Sequence, residues 1–143
     1  MSTEENKAAE RRLIEEMWNK HNPGAVDEFI APDLIEHNPI LGIGPGRDGF
    51  RKALELIFAT FPDLHIILED VIGEGDKVIT RWTGRTTHVR EFMGIPPTNK
   101  QLVIEGIDIF RYANGKRAES WHQWDQLGMM QQLGAVPPRR QPG

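Results

Sequence analysis

The chain has 143 residues, of which 27% are charged and 38% hydrophobic, and its formal net charge is −4. This size and balance indicate one globular domain with a proper core, and an acidic chain without a basic run argues against nucleic-acid binding. The absence of cysteine excludes disulfides and thiol catalysis, while the charged N-terminus and the lack of any apolar run near ~20 residues predict a cytoplasmic protein without a membrane segment.

The first half of the chain is predicted to be mainly helical. Apolar residues at helical spacing predict three helices, over residues 4–19, 25–30 and 47–61. Pro32-Asp33 is expected to end the second helix and Pro62 the third, whose wide apolar face is typical of a helix that packs against a sheet. A short strand is expected over 34–37. The glycine-rich loop 41–46 that follows lacks the spacing of a dinucleotide-binding loop, so it is interpreted as a pocket rim.

The second half is predicted to be an antiparallel sheet. Four runs rich in β-branched and aromatic residues predict strands over 65–72, 77–88, 101–112 and 116–125. The apolar connection 91–99 could cover a pocket mouth or a partner surface. A short helix over 128–133 and a flexible tail over 137–143 complete the chain. The order of elements predicts the α+β class, with one domain over 1–136 and a strongly curved sheet around the third helix.

The last two strands are predicted to form a hairpin across Ala113-Asn114-Gly115, and the length of its turn decides which side chains share a face. With a three-residue turn, Asp108 faces Ser120 and His122 lies on the diagonal within reach. A two-residue turn would place Asp108 and His122 on opposite faces. A carboxylate beside an imidazole is a common way to make a general base, although such a pair is also common as a purely structural contact.

Other polar and aromatic side chains are candidates for a binding pocket. The predicted substrate contacts are His37, Asn38, Trp18, Trp82, His88, Met93, Phe110, Ser120 and Trp124. His37 with Asn38 either reaches the pocket or forms a turn, and His88 either lines the pocket or caps a loop. The strand aromatics are equally expected as core. No metal site is expected, because the histidines come from separate elements and no carboxylates cluster.

Several short segments, spread along nearly the whole chain, carry a family likeness. Among them are His37-Asn38-Pro39, Phe61-Pro62-Asp63, Gly106-Ile107-Asp108 and Trp121-His122-Gln123-Trp124-Asp125. They resemble the SnoaL-like polyketide cyclases and their "ester cyclase" relatives in the nuclear-transport-factor-2-like superfamily. The resemblance implies a cone-shaped α+β fold and an intramolecular aldol condensation without metal or cofactor. It also places the family's acid/base aspartate at His122 and a histidine at Asp108, so this chain carries the same pair of residue types with the strands exchanged.

The sequence therefore predicts a cofactor-independent cyclase-like enzyme. His122 would remove a proton next to the carbonyl of a polycyclic or aromatic ketone, and Asp108 would fix its tautomer, leading to aldol-type cyclisation or isomerisation. An epoxide or ester hydrolase, or a non-catalytic small-molecule binding module, are the alternatives. The expected partners are an apolar or aromatic small molecule and a second copy of the chain, because Ile107, Ile109 and Trp121 point away from the pocket face.

Overall fold

The computed structural model describes residues 1–137, in which four α-helices accompany one five-stranded mixed sheet. The helices are α1 (Thr3–Leu13), α2 (Val26–Phe29), α3 (Gly46–Thr60) and α4 (Gln126–Gln132). The strands are β1 (Ile30–Glu36), β2 (His65–Glu74), β3 (Lys77–Thr87), β4 (Gln101–Ala113) and β5 (Lys116–Trp124). The predicted α+β class is confirmed. The predicted flexible tail over 137–143 lies, apart from its first residue, outside the described residues.

The first helix is connected to the sheet through the segment that follows it. Ser2 caps the start of the helix, and its Oγ accepts a hydrogen bond from the Glu5 amide at 3.1 Å. Beyond α1 the chain continues as a π-helical stretch, Ile14–Asn19, with wider turns than an α-helix. At its end the Asn19 side chain donates to the Ile66 carbonyl at 3.0 Å and accepts from the Ile66 amide at 2.7 Å. These two bonds set the position of the π-helical stretch against β2.

Helix α3 supplies a wide apolar surface that faces the sheet. Its buried side chains include Phe50, Leu54 and Ile57, which recur at helical spacing, and the helix ends before Pro62 as predicted. Gly49 marks the contact of α3 with the loop before it, because a Cβ atom there would lie 2.6 Å from the Cα atom of Gly44. The loop is therefore held against the helix by direct backbone packing.

The strand order is β1-β5-β4-β3-β2. Strands β2 to β5 form the predicted antiparallel meander. Strand β1, however, pairs with β5 in parallel, which makes the sheet mixed rather than antiparallel throughout. The prediction that Pro32-Asp33 ends a helix is wrong, since both residues lie within β1. Proline is tolerated there because β1 is an edge strand, where one side of the backbone has no partner strand.

The hairpin turn between β4 and β5 is shorter than predicted. Ala113 pairs with Lys116, so the turn consists of Asn114 and Gly115 alone. Their φ angles are +52° and +76°, which asparagine and glycine adopt more readily than other residues. Taken by itself, a turn of this length would place Asp108 and His122 on opposite faces of the sheet.

A bulge at Ala118 reverses that effect. Before it, Tyr112 pairs with Arg117, and beyond it Arg111 pairs with Glu119. In a regular strand, Arg117 and His122 would point to opposite faces, because they are an odd number of residues apart. The extra residue at the bulge shifts the alternation along β5 by one position, so both side chains face inward. Asp108 then lies directly opposite His122. The predicted pairing of Asp108 with Ser120 is wrong, but the shared face of Asp108 and His122 is retained.

The main core lies between the helices and the inner face of the sheet. Its buried members come from the helices, from β1, β2 and β4 and from connecting segments, and include Leu13, Phe50, Leu54, Ile66, Leu102, Ile104 and Met129. Inward positions of β4 alternate with outward ones along its whole length, as its sequence predicted. Among residues 1–137, no helix has both the length and the apolar character needed to cross a membrane.

Candidate active site

A cavity of about 110 Å³ lies between the helices and the inner face of the sheet. Most of its wall is apolar, formed by residues that include Ile14, Trp18, Ile57, Phe61, Leu64, Ile66, Phe92, Phe110, Trp124 and Met129. Ile14 and Trp18 belong to the π-helical stretch, a type of irregularity that is frequent at functional sites. The charged groups reach the cavity from one side, since Asp108, Arg117 and His122 are all carried by β4 and β5. Such a wall suits an apolar or aromatic ligand held by a few polar contacts.

A wider groove of about 630 Å³ adjoins this cavity. Its walls come from the loop after β1, with Asn38 to Ile43, and from the loop after β3, with Phe92 and Met93. The residues that line both spaces are Ile40, Leu41, Phe92, His122 and Trp124. His122 therefore lies at the boundary between the cavity and the groove.

Asp108 and His122 face each other across β4 and β5. The distance from Asp108 Oδ1 to His122 Nδ1 is 3.5 Å, and both side chains are largely buried. Asp108 is held in place by two further donors: the Trp82 indole N–H to Oδ2 at 2.9 Å and the Gln123 amide to Oδ1 at 3.3 Å. The carboxylate thus borders the cavity and the imidazole at once.

The indole of Trp82 reaches Asp108 because the neighbouring strand position is glycine. Gly106 pairs with Trp82 across β3 and β4, and a Cβ atom at Gly106 would lie 2.4 Å from the Trp82 ring atom Cζ2. A side chain at position 106 would displace the indole and remove its hydrogen bond to Asp108. Gly106 therefore acts on the site through Trp82.

The structure adds a second carboxylate that sequence reasoning missed. Glu36 Oε2 lies 3.5 Å from His122 Nε2, the Glu36 side chain is 1% exposed, and neither of its oxygens has a hydrogen-bond partner among the described residues. The available signal was the alternation of β1: Leu34 faces inward, so Glu36, two residues further, must share that face. His122 is consequently placed between two carboxylates.

These neighbours determine the protonation of His122. Burial by itself lowers the pKa of an imidazole, but the proximity of Asp108 and Glu36 outweighs burial, and the pKa of His122 lies above its ordinary value of 6.5. The nearby positive charge of Arg117 opposes this shift without reversing it.

Asn38 fixes the backbone of His122. Its Oδ1 accepts a hydrogen bond from the His122 amide at 2.9 Å, and its Nδ2 donates to the His122 carbonyl. Both polar atoms of the Asn38 amide are used in this way. Although Asn38 also lines the groove, its evident contribution is to hold β5 at the level of the imidazole.

Arg117 forms a buried ion pair beside the cavity. Its Nη2 donates to both carboxylate oxygens of Glu10 on α1, at 2.7 Å to Oε2, and its guanidinium carbon lies 3.5 Å from the centre of the Phe110 ring. Burial raises the pKa of the Glu10 carboxyl, and Arg117 opposes that shift. Sequence reasoning missed Arg117 because the predicted three-residue turn would have pointed it outward.

The remaining predicted contacts divide into two groups. Trp18, Trp82, Phe110 and Trp124 line the cavity together with Asp108 and His122, and Met93 lines the groove. His37, His88 and Ser120 line neither space. Among residues 1–137, no three His, Asp or Glu side chains are arranged to hold a metal ion.

His37, His88 and Ser120 were predicted as substrate contacts, but the structure places them away from both spaces. His37 lies outside the cavity, where it bonds to Glu119 at 2.6 Å and stacks on Trp121. His88 is fully buried and bonds through Nδ1 to Thr98 at 2.9 Å, which ties the end of β3 to the following loop. Ser120 is buried as well, but it does not form part of the cavity wall.

Comparisons with known proteins agree on one family. The sequence pattern of the SnoaL-like polyketide cyclases matches residues 8–133. The chain is 28% identical over 135 residues to the aklanonic acid methyl ester cyclase DnrD of Streptomyces peucetius, covering 88% of this chain and 91% of the relative. It is 29% identical to the nogalonic acid methyl ester cyclase of Streptomyces nogalater, covering 82% and 89%. The structure of TsrD from Streptomyces laurentii superimposes with a TM-score of 0.80 at 32% identity, covering 90% and 97%.

Proposed function

Since this chain belongs to the SnoaL-like polyketide cyclase family, we propose that it is a cofactor-independent cyclase-like enzyme that removes a proton next to a carbonyl group. The reaction would be the aldol-type cyclisation, or the isomerisation, of a polycyclic or aromatic ketone. The observation that carries this proposal is the Asp108–His122 pair, 3.5 Å apart on the polar side of an otherwise apolar cavity. Paired groups of this kind perform general acid–base catalysis.

The proposed substrate is the methyl ester of an aromatic polyketide acid, the class for which the two Streptomyces relatives are named. The cavity alone is small at about 110 Å³, but it shares His122 and Trp124 with the adjoining groove of about 630 Å³. A flat polycyclic molecule would place its reacting carbon beside the pair and extend into the groove. Aromatic side chains line the cavity and leave space within it, which supports an enzyme over a module whose pocket is filled by its own side chains.

The proposed chemistry needs only proton transfers and one new carbon–carbon bond. A C–H bond next to a carbonyl breaks, its proton passes to the pair, and the resulting enolate carbon attacks a second carbonyl of the same molecule. A C–C bond forms as the π bond of that carbonyl opens, and the alkoxide takes the proton back from the pair. Sequence reasoning assigns the base to His122 and the orienting role to Asp108; because Asp108 also lines the cavity, the geometry permits the reverse.

We also propose that the enzyme is a homodimer. Apolar side chains occupy the outer face of the sheet, with Ile107 54% exposed and Ile109 37% exposed on β4. Trp121 of β5 lies next to them, directly opposite Ile109. A second copy of the chain packed on this face would remove these side chains from water.

Turnover of the two methyl esters, aklanonic acid methyl ester and nogalonic acid methyl ester, tests the proposed function. His122→Ala and Asp108→Asn should each lower the rate about 10²–10⁴-fold, the usual size of a general acid–base contribution, with little change in affinity. The matched controls are His65→Ala and Asp33→Asn, which alter exposed residues of the same types and should leave turnover unchanged. Full turnover by a folded His122→Ala or Asp108→Asn protein would refute the proposal.

A further inference from the structure

Glu36 is a buried carboxylate that the proposed chemistry does not use. Its side chain is 1% exposed, its two oxygens have no hydrogen-bond partner in the described part of the chain, and its one salt-bridge contact there is with His122 at 3.5 Å. Burial of an ionised carboxylate is costly unless a positive group lies nearby. The group in position to provide this charge is the imidazole of His122, through Nε2.

We propose that Glu36 is a positioning residue that holds His122 as an imidazolium ion, and that Asp108 is the catalytic base. The proposal assigns the roles within the Asp108–His122 pair, and the assignment of the base rests on the proposed function. As an imidazolium, with Nδ1 facing Asp108 and Nε2 facing Glu36, His122 carries a proton on each ring nitrogen and cannot take another from a substrate.

The charges around His122 support this arrangement. Asp108 on β4 and Glu36 on β1 both face the imidazole, while the positive charge of Arg117 lies nearby on β5. Arg117 is already paired with Glu10 of α1. The carboxylates of Asp108 and Glu36 therefore lie on two sides of one imidazole, and His122 pairs with both by keeping a proton on each nitrogen.

Asp108 has the position that a base requires. Its carboxylate lines the cavity, where a carbon acid would lie, and its Oδ1 is 3.5 Å from Nδ1 of His122. Asp108 would accept the proton from the C–H bond and return it to the alkoxide, so that His122 and Glu36 begin and end each cycle in the same protonation state. A carboxylate of this kind can act on a carbon next to a carbonyl.

A titration of His122 by NMR tests the role of Glu36 without any substrate. The imidazole signals of the wild-type protein are followed against pH, with the signal of His122 assigned by its loss in His122→Gln. We expect Glu36→Gln to lower the midpoint by about one to three pH units, the effect of removing an opposite charge at this range.

Glu119→Gln is the matched control for this titration. Glu119 lies on β5, the strand that carries His122, but it is not among the residues that line the cavity. Its carboxylate bonds to His37 at 2.6 Å and to Arg111 at 2.8 Å, on the other side of the sheet from the imidazole of His122. Glu119→Gln should therefore leave the titration of His122 unchanged.

Two outcomes would overturn the inference: a His122 midpoint that is unchanged in folded Glu36→Gln, or an imidazole that is neutral near pH 7 in the wild-type protein. Glu36→Asp serves as a second variant if Glu36→Gln does not fold. Aspartate keeps the negative charge but is one methylene shorter, so its charge lies farther from His122. Glu36→Asp should therefore lower the midpoint by less than Glu36→Gln, and an unchanged midpoint in Glu36→Asp would count against the inference.

The pH profile of turnover separates this inference from the proposed function. With Asp108 as the base, activity should already be fully developed below the pKa of His122, whereas a His122 base would give a rate that increases as pH rises through that pKa. Absence of turnover with either methyl ester would count against the proposed function and leave the NMR result standing. An active enzyme whose rate increases through that pKa would overturn only the assignment of Asp108.

Discussion

The buried ion pair between Glu10 and Arg117 gives the sharpest prediction about stability. Glu10→Gln would leave the guanidinium of Arg117 without its counter-charge, at a site where the two side chains are 0% and 2% exposed. Removing one partner of such a pair costs about 3–5 kcal/mol. The Phe110 ring, 3.5 Å from the guanidinium carbon, would still stabilise the cation, so we expect the lower part of this range, about 3 kcal/mol.

This loss corresponds to a large change in melting temperature. A chain of 143 residues has an unfolding entropy of about 0.3 kcal/mol/K at its midpoint, so a loss of about 3 kcal/mol should lower Tm by roughly 10 °C. Urea unfolding and thermal unfolding followed by circular dichroism measure the two quantities. Replacing both partners, in Glu10→Leu with Arg117→Met, should restore much of the stability, because no buried charge is left unpaired.

The control is an exposed ion pair of the same chemistry. Arg12 and Glu28 are 3.0 Å apart and each is 58% exposed, so Glu28→Gln should cost less than about 1 kcal/mol. If Glu10→Gln costs no more than Glu28→Gln, the reasoning about the buried pair is wrong.

Three further predictions concern the site and the assembly. Trp82→Phe removes the 2.9 Å hydrogen bond to Asp108 and should lower the free energy of unfolding in urea by about 1.5–3 kcal/mol, whereas a cost near zero would show that the bond is unimportant. Because folding raises the pKa of His122, the stabilisation that protonated His122 provides should be fully present below about pH 6.5 and decline as pH rises through the folded pKa. If the difference in unfolding free energy between the wild type and His122→Gln instead increased over that range, the prediction would be wrong. The wild-type protein should have the mass of a dimer in light scattering and Ile107→Asp that of a monomer, and a monomeric wild type at micromolar concentration would exclude the dimer.

Local patterns were sufficient to predict much of the fold. The apolar spacing of α3 and the alternation along β4 indicated the correct elements and the correct inward faces, because both depend on the period of the side chains alone. The shared face of Asp108 and His122 was predicted from the same alternation, although the turn and the register were not as expected. The parallel pairing of β1 was missed, since it joins segments that are distant in the chain and leaves no local sign in either.

Two features of the site were missed in the sequence, for different reasons. The two-residue turn points Arg117 inward and the bulge at Ala118 then returns His122 to the same face, while the partner of Arg117, Glu10, lies 107 residues away on α1. Glu36 shares the inward face of β1 with Leu34, but the strand is short and was expected to begin only at residue 34. Because the predicted start of the strand was too late, too few alternating positions remained to show which face of the sheet the Glu36 side chain occupies.

The bulge at Ala118 also has an evolutionary consequence. Between Arg117 and His122, the loss of one residue could be absorbed by converting the bulge into a regular ladder, and both side chains would still face inward. The gain of one residue has no such remedy, because it would enlarge the bulge, turn His122 to the outer face, or place His122 opposite Gly106 instead of Asp108. Descendants of this sequence should therefore tolerate single deletions in this stretch far more often than single insertions.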